Sequence, residues 1–205
     1  QKYDVDGIHM DRIRFPNTHY DYNPEMKRLY KEKYGKDPIP GDTDWAQFRR
    51  DMVSNLTRDI YTAVKAVKPN VNFSAAVFPS PQTATMYQLQ DWPTWVRNGW
   101  LDFPVTMAYT TSLSTLQNYV NQEIQAVYGL MPLYVGLGPY LLSDSQLQEQ
   151  LDAININGVD GVAFFSGQWL LDNPAHLKVI KDFSFKNQEA LPQYIEEIEM
   201  MINSN

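Results

Sequence analysis

The stretch YDVDGIHMDRIRFP, residues 3–16, decides how the rest of the chain is interpreted. Its central part is predicted to be a β-strand, and side chains alternate between the two faces of a strand. His9 and Asp11 therefore share one face, and the apolar Ile8 and Met10 share the other. We expect the apolar pair to face surrounding helices. His9 and Asp11 then point toward the axis around which such a sheet curls.

Beyond this strand the chain alternates strands and helices with short connections, which predicts βα units around a parallel α/β sheet. In the longest helix, Thr43 or Asp44 can cap the start and Pro69 ends it. Asp144 is the default N-cap of a later helix. The predicted strands are residues 5–10, 71–77, 101–109, 133–137 and 161–165, and the predicted helices are residues 25–34, 44–67, 91–97, 114–127, 144–156, 174–183 and 192–202. The apolar stripe of the longest helix comprises Trp45, Phe48, Met52, Leu56, Ile60, Val64 and Val67.

Five βα units are predicted, whereas a closed (β/α)8 barrel needs eight. The chain is therefore either an open doubly wound sheet or a barrel without its first three units. We expect one domain over residues 1–205, in which residues 184–205 form a C-terminal helical extension. Open sheet edges and an exposed apolar face are unfavourable in a monomer. A second copy (a homo-oligomer), an edge covered by the C-terminal helix, or a missing N-terminal half-barrel would each cover them.

The composition of the 205-residue chain excludes several classes of function. Because cysteine is absent, disulfides, thiolate metal sites and cysteine nucleophiles are ruled out. A formal net charge of −7 argues against nucleic acid as a partner, since phosphates are bound by clustered Lys and Arg. No run approaches the ~18–20 consecutive apolar residues of a membrane span. The stretch GLGP, residues 136–139, does not make a phosphate-binding loop, and no cofactor is expected.

Three predicted strands open with an aspartate, and we call Asp6, Asp102 and Asp160 the strand-opening aspartates. Barrel enzymes place catalytic residues at the carboxyl ends of their strands, whereas the opposite ends contribute to stability. We therefore interpret the strand-opening aspartates as caps or loop anchors rather than as catalytic acids.

The opening stretch resembles the fourth-strand motif of the glycosyl-hydrolase-like family 10 barrels. That motif has an aliphatic residue, Asp-Gly-Ile-His, a hydrophobic residue and Asp, with an aromatic residue and proline a few positions later. The likeness continues in order through residues 49–53, 60–69, 73–79, 95–109 and 161–166. The resemblance implies strands four to eight of a (β/α)8 barrel. It also implies a bacterial envelope protein that acts outside the cytoplasm, since some such proteins are implicated in cutting peptidoglycan glycan strands.

Two comparisons limit what this resemblance implies. Members of the family usually carry Pro-Gln before the strand-six tyrosine, whereas TMA precedes Tyr109 here, and this leaves the identity of the substrate open. The stretch DGIHMD, residues 6–11, is also similar to the chitinase-like barrels of family 18. Their general acid would fall at Ile13, which cannot donate a proton, so the family 18 mechanism is excluded.

Asp11 is the candidate catalytic residue, because a carboxylate at a strand exit can act as nucleophile or stabilise an oxocarbenium-like transition state. The alternative is a carboxylate that pairs with Arg12 or Arg14 and holds the loop. Arg14 could accordingly orient Asp11 or anchor the loop. His9 could contact a sugar hydroxyl or be a hydrogen-bonded wall residue. His9, Asp11 and His19 could form a metal site. This site is not favoured, because no third ligand lies close to His9 and Asp11 in the sequence.

A glycosidase normally needs a second carboxyl group, ~5–9.5 Å from the first. Asp172, in a predicted loop after the last strand, is the candidate in this chain, and the simplest alternative places the acid/base in the missing first units. Tyr109, Tyr140 and Trp169 follow strand ends and are candidates for sugar stacking or hydrogen bonding. We therefore expect a glycoside hydrolase acting on a bacterial polysaccharide, or else a non-catalytic carbohydrate-binding barrel.

Overall fold

The computed structural model describes residues 3–183, except for the side chain of Ile156, and five strands alternate there with eight α-helices. The predicted C-terminal extension over residues 184–205 lies outside the described residues. Among residues 3–183, no helix is both long enough and apolar enough to cross a membrane. The strands are β1 (Gly7–Met10), β2 (Asn72–Val77), β3 (Phe103–Met107), β4 (Tyr134–Leu137) and β5 (Gly161–Phe164). The helices are α1 (Pro24–Tyr34), α2 (Thr43–Val67), α3 (Pro81–Tyr87), α4 (Trp92–Arg97), α5 (Leu113–Val127), α6 (Asp144–Asn157), α7 (Gly167–Asp172) and α8 (Pro174–Asp182).

The five strands form one parallel sheet, in the order in which they occur along the chain. Each strand pairs with its successor: His9 lies opposite Ser74, and Val135 lies opposite Val162. Every helical connection therefore advances the sheet by one strand in the same direction. A doubly wound sheet would instead reverse its strand order at a switch point. The described residues therefore form an α/β fold with a five-stranded parallel sheet, an arrangement consistent with part of a (β/α) barrel.

Two of the three strand-opening aspartates, Asp102 and Asp160, are anchors, as the sequence predicts. The Asp102 side chain accepts a hydrogen bond from Phe73 N at 2.6 Å, and the Asp102 N–H donates to Phe73 O at 2.8 Å. Asp160 makes the same two hydrogen bonds to Leu133, at 2.8 Å and 3.0 Å. Each aspartate therefore clamps the main chain of one residue at the start of the preceding strand.

The main hydrophobic core lies between the sheet and the helices. Met10 points into this core from β1, as the alternation predicts, and Trp92 and Trp95 of α4 are fully buried in it. Both indole N–H groups donate hydrogen bonds, at 3.1 Å and 2.8 Å, so the two large rings leave no unsatisfied donor. Ile8 was expected beside Met10 under the helices, but it is 38% exposed because β1 forms an edge of the sheet.

Helix α2 differs from its prediction in both its cap and its buried face. Asp42, rather than Thr43 or Asp44, caps the helix by accepting a hydrogen bond from Asp44 N at 2.9 Å. Leu56 and Val67, assigned to the apolar stripe, are 51% and 53% exposed. The stripe fails because the first half of α2 packs on α1, whereas its second half packs on the main core. The buried residues of α2 are Trp45, Phe48, Arg49, Val53, Ser54 and Thr57.

Two further predictions about local structure are wrong. Ser143, not Asp144, caps α6, because its side chain closes a capping box. Residues 167–172, predicted to be a loop, form helix α7, and α3 was also not predicted. Each of these short helices begins after a serine whose side chain accepts a main-chain N–H, Ser80 or Ser166. Apolar periodicity does not detect helices of six or seven residues, whereas the capping serines mark their starts.

Candidate functional site

A groove of about 610 Å³ lies on the face of the sheet that points away from the main core. Its floor is apolar and is formed by Phe103, Val105 and Met107 of β3. Ligands of parallel α/β proteins bind near the carboxyl ends of the strands. Four of the residues predicted from sequence line this groove together: His9, Asp11, Arg14 and Tyr109.

Asp11 is the first residue after β1, and its side chain is 66% exposed. Its Oδ1 accepts a hydrogen bond from Arg12 N at 2.7 Å and lies 3.9 Å from Arg14 Nη1. Arg12 has φ = +56°, which is uncommon for a residue other than glycine, and its carbonyl accepts a hydrogen bond from Arg14 N at 2.8 Å. The chain therefore turns tightly after β1, which fixes one carboxylate oxygen of Asp11 and leaves Oδ2 open to a ligand.

Arg14 connects this turn to the wall of the groove. Its guanidinium lies 5.1 Å from the centre of the Phe78 ring. Burial lowers the pKa of Arg14 and the Asp11 carboxylate opposes this effect, but a guanidinium remains charged in either case. Arg14 Nη1 is buried and has no hydrogen-bond partner among the described residues. Its electrostatic partner in the described part of the chain is therefore the Asp11 carboxylate.

Gln90, which the sequence did not single out, holds the loop that carries Asp11 and Arg14. Its side chain is fully buried. The amide nitrogen donates to Ile13 O at 3.2 Å and to Ala76 O at 3.1 Å, and the amide oxygen accepts from Phe78 N at 2.9 Å. One side chain thus joins the loop after β1 to the end of β2 and the residue that follows it. Gln90 therefore anchors the main chain of this loop.

Replacing Gln90 by Ala should destabilise the protein by about 2 kcal/mol, because one buried and two half-buried main-chain groups lose their hydrogen bonds to this side chain. Urea unfolding of the complete gene product measures this change. Gln82→Ala, at an exposed position of α3, is the matched control and should change stability by less than about 0.5 kcal/mol. Equal stability of the two variants would show that Gln90 does not anchor the loop.

His9 is hydrogen-bonded within the sheet rather than isolated in the groove. Its Nδ1 lies 2.9 Å from Ser74 Oγ on the neighbouring strand. Burial lowers the pKa of His9, and the Asp11 carboxylate opposes this effect. The imidazole is therefore mostly neutral at pH 7. The hydrogen bond to Ser74 makes His9 a wall residue of the groove and leaves its other ring nitrogen, Nε2, for a ligand.

Tyr109 and Phe165 line the groove, whereas Tyr140 is not among the described lining residues but contacts both rings; we call these three residues the aromatic cluster. The rings of Tyr109 and Phe165 are stacked with centroids 6.0 Å apart, and Tyr140 meets Tyr109 edge-on at 6.3 Å. Phe165 is 57% exposed and Tyr140 43% exposed. Burial raises the pKa of Tyr109 to about 12, so its phenol is protonated and can donate a hydrogen bond. Phe165 was not predicted, although it directly follows β5, as Asp11 directly follows β1.

Asp172 and Trp169 are not brought to this groove. Both belong to α7, and neither is among the described residues that line the groove. The Asp172 carboxylate accepts a hydrogen bond from Gln168 Nε2 at 3.2 Å on the exposed surface. Among residues 3–183, Asp11 is the one carboxylate in the lining.

The metal site considered from sequence has no counterpart in the described part of the chain. Residues 3–183 contain no group of three His, Cys, Asp or Glu side chains arranged to hold a metal ion. His19 is exposed, and its main-chain N–H donates to Asn17 Oδ1 at 2.8 Å. It does not belong to the residues that line the groove.

Two comparisons relate this chain to known proteins. Residues 1–148 match the family model described as Glycosyl hydrolase-like 10. A region of 76 residues is 37% identical to the glycosyl hydrolase YngK of Bacillus subtilis (strain 168). This region is 37% of the present chain and 14% of that relative, so the match spans a small part of the longer protein.

Proposed function

Because this chain belongs to the glycosyl hydrolase-like 10 family, we propose that it is part of a glycoside hydrolase acting on a bacterial polysaccharide, such as the glycan strands of peptidoglycan. Asp11 is the nucleophile or the stabiliser of the oxocarbenium-like transition state. The observation that carries this proposal is the Asp11 carboxylate in the groove, with one oxygen held by Arg12 and Arg14 and the other open. Since peptidoglycan lies outside the cytoplasm, the protein acts there.

The second carboxyl group belongs to three further βα units, which close the sheet into a (β/α)8 barrel. Two observations support this arrangement: the apolar groove floor is partly exposed, and the described lining contains a single carboxylate. Units packed against that floor would cover it and could bring an acid within ~5–9.5 Å of Asp11. Asp172 is the less supported candidate for this acid, because its side chain lies on the surface of α7.

The aromatic cluster binds a sugar ring of the substrate, with the exposed face of Phe165 against the apolar face of the pyranose. We expect Phe165→Ala to weaken binding of soluble peptidoglycan glycan strands by about five- to tenfold, since stacking contributes roughly 1 kcal/mol. Calorimetric titration of the complete gene product measures this change. Tyr87→Ala removes an equally exposed ring from α3, outside the groove, and should leave the affinity unchanged. Equal affinities of the two variants would exclude Phe165 from the binding site.

A non-catalytic carbohydrate-binding barrel is the second candidate function. It is favoured by the presence of only Asp11 among the acids of the described groove lining, since hydrolysis normally needs two carboxyl groups. The two functions make opposite predictions for the complete gene product incubated with purified glycan strands. A hydrolase generates new reducing ends in proportion to enzyme concentration and time. Retention of the strands without new reducing ends would establish the binding protein and overturn the hydrolase.

A further inference from the structure

The two clamps made by Asp102 and Asp160 follow one structural rule. Each aspartate directly precedes the first residue of its strand, Phe103 or Gly161. Each makes its hydrogen bonds to the preceding strand, through its own N–H and through its carboxylate. The clamps occur on β3 and β5, which are alternate strands of the sheet.

Asp6 occupies the corresponding position on β1, directly before Gly7. Its carbonyl accepts a hydrogen bond from Asn72 N at 2.9 Å, so the bond toward the following strand is made. Its N–H and its carboxylate make no hydrogen bond or ion pair with the described residues. These are the two groups with which Asp102 and Asp160 clamp the strand on their other side.

We propose that Asp6 is the docking point for a further β-strand that runs parallel to β1 along its open edge. One residue at the start of this strand donates its N–H to the Asp6 carboxylate and accepts the Asp6 N–H through its carbonyl. The strand belongs to the N-terminal half-barrel of the same protein, so this inference rests on the barrel closure in the proposed function. It adds the register: the clamped residue lies opposite Asp6.

The surroundings of Asp6 fit a βα unit better than a second copy of the chain. Ile8, on the helix side of β1, is 38% exposed, and the helix of an added unit would cover it. Two copies related by a twofold axis would bring their β1 edges together in antiparallel orientation. The clamps at Asp102 and Asp160 join parallel strands, so that antiparallel pairing would not reproduce them.

Substitutions in the complete gene product test this inference without an activity assay. Asp160→Ala should raise the unfolding equilibrium constant about tenfold or more, because it removes a charge-assisted hydrogen bond. We expect Asp6→Ala to do the same and Asp6→Asn, which keeps an acceptor oxygen, to restore most of the loss. Asp4→Ala is the matched control, since Asp4 is exposed and, within residues 3–183, forms an ion pair only with Lys68. An Asp6→Ala variant as stable as Asp4→Ala would overturn the proposal.

Hydrogen exchange of the Asp6 amide is a second, independent measurement on the unsubstituted gene product. If the N–H is donated to a neighbouring strand, it should exchange about a hundredfold more slowly than a solvent-exposed amide. Exchange at the rate of an exposed amide would overturn the docking of a strand, even if the protein cleaves glycan. Slow exchange in a protein that does not cleave glycan would refute the hydrolase and retain the clamp.

Discussion

The Asp11→Asn variant of the complete gene product is expected to lose at least about a thousandfold in kcat/KM for glycan cleavage. A neutral amide can neither attack the anomeric carbon nor stabilise positive charge there, and a thousandfold loss corresponds to about 4 kcal/mol of transition-state stabilisation. The loop should keep its shape, because the asparagine oxygen can still accept the Arg12 N–H. Glycan affinity should therefore change only a few-fold. The release of reducing ends and calorimetric binding together separate the two effects.

Two further variants are needed to interpret the activity of Asp11→Asn. Asp152→Asn removes an exposed acid on α6, outside the groove, and should leave kcat/KM unchanged. Asp172→Asn tests the other acid predicted from sequence, and a comparable loss there would identify Asp172 as the second carboxyl group. If Asp11→Asn retained cleavage within tenfold of the original protein, the catalytic role of Asp11 would be refuted.

Glu123→Gln is expected to make the protein more stable at pH 8 and to remove part of its pH dependence. Glu123 lies on α5, is fully buried, and its two carboxyl oxygens lack hydrogen-bond partners among the described residues. Burial raises the pKa of Glu123 to about 8, and the nearby Thr106 hydroxyl acts in the opposite direction without reaching hydrogen-bonding geometry. The side chain is therefore largely protonated at pH 7, whereas in the unfolded chain it is ionised.

The sign of the effect follows from proton binding. Between the unfolded pKa of 4.5 and the folded pKa of about 8, the folded protein holds a proton that the unfolded chain has lost. The contribution of Glu123 to the free energy of unfolding is fully present below pH 4.5. It falls by roughly 1.4 kcal/mol per pH unit as the pH rises toward 8. Glutamine does not titrate, so its advantage over Glu123 should grow by roughly 3 kcal/mol between pH 5 and pH 8.

Urea unfolding of the complete gene product at pH 5, 6.5 and 8 measures this difference. Glu149→Gln, at an exposed position of α6, is the matched control and should follow the unsubstituted protein at each pH. If the free energies of unfolding of Glu123→Gln and the original protein differed by the same amount at every pH, Glu123 would not be buried in the folded protein.

The order of the elements could be predicted because each is marked by local sequence. Residue periodicity located all five strands, although the ordered strands are shorter than the apolar runs; β3, for example, is Phe103–Met107 within a predicted 101–109. Local patterns could not predict which face of a long helix is buried along its whole length. Leu56 satisfied the stripe of α2 but is exposed, because that helix divides its contacts between α1 and the main core.

The candidate site was predictable where it depended on alternation along one strand. His9 and Met10 lie on opposite faces of β1, as expected, and Asp11 lines the groove. The hydrogen bonds of Ser74 and Gln90 could not be predicted, since they join residues far apart in sequence. Glu123 could have been found, because it continues a stripe of buried residues on α5 with spacings of three and four. That stripe comprises Leu116, Val120, Glu123 and Val127.

The consecutive order of the strands also determines how the chain can fold during its synthesis. β2 needs only β1 to pair with, and each later strand needs only the strand made immediately before it. We therefore expect the sheet to grow one βα unit at a time as the ribosome releases the chain, without waiting for distant segments. In the (β/α)8 barrel that we propose, closure of the sheet would come after this stepwise growth, because it needs strands beyond the five described here to pair with the edges formed by β1 and β5.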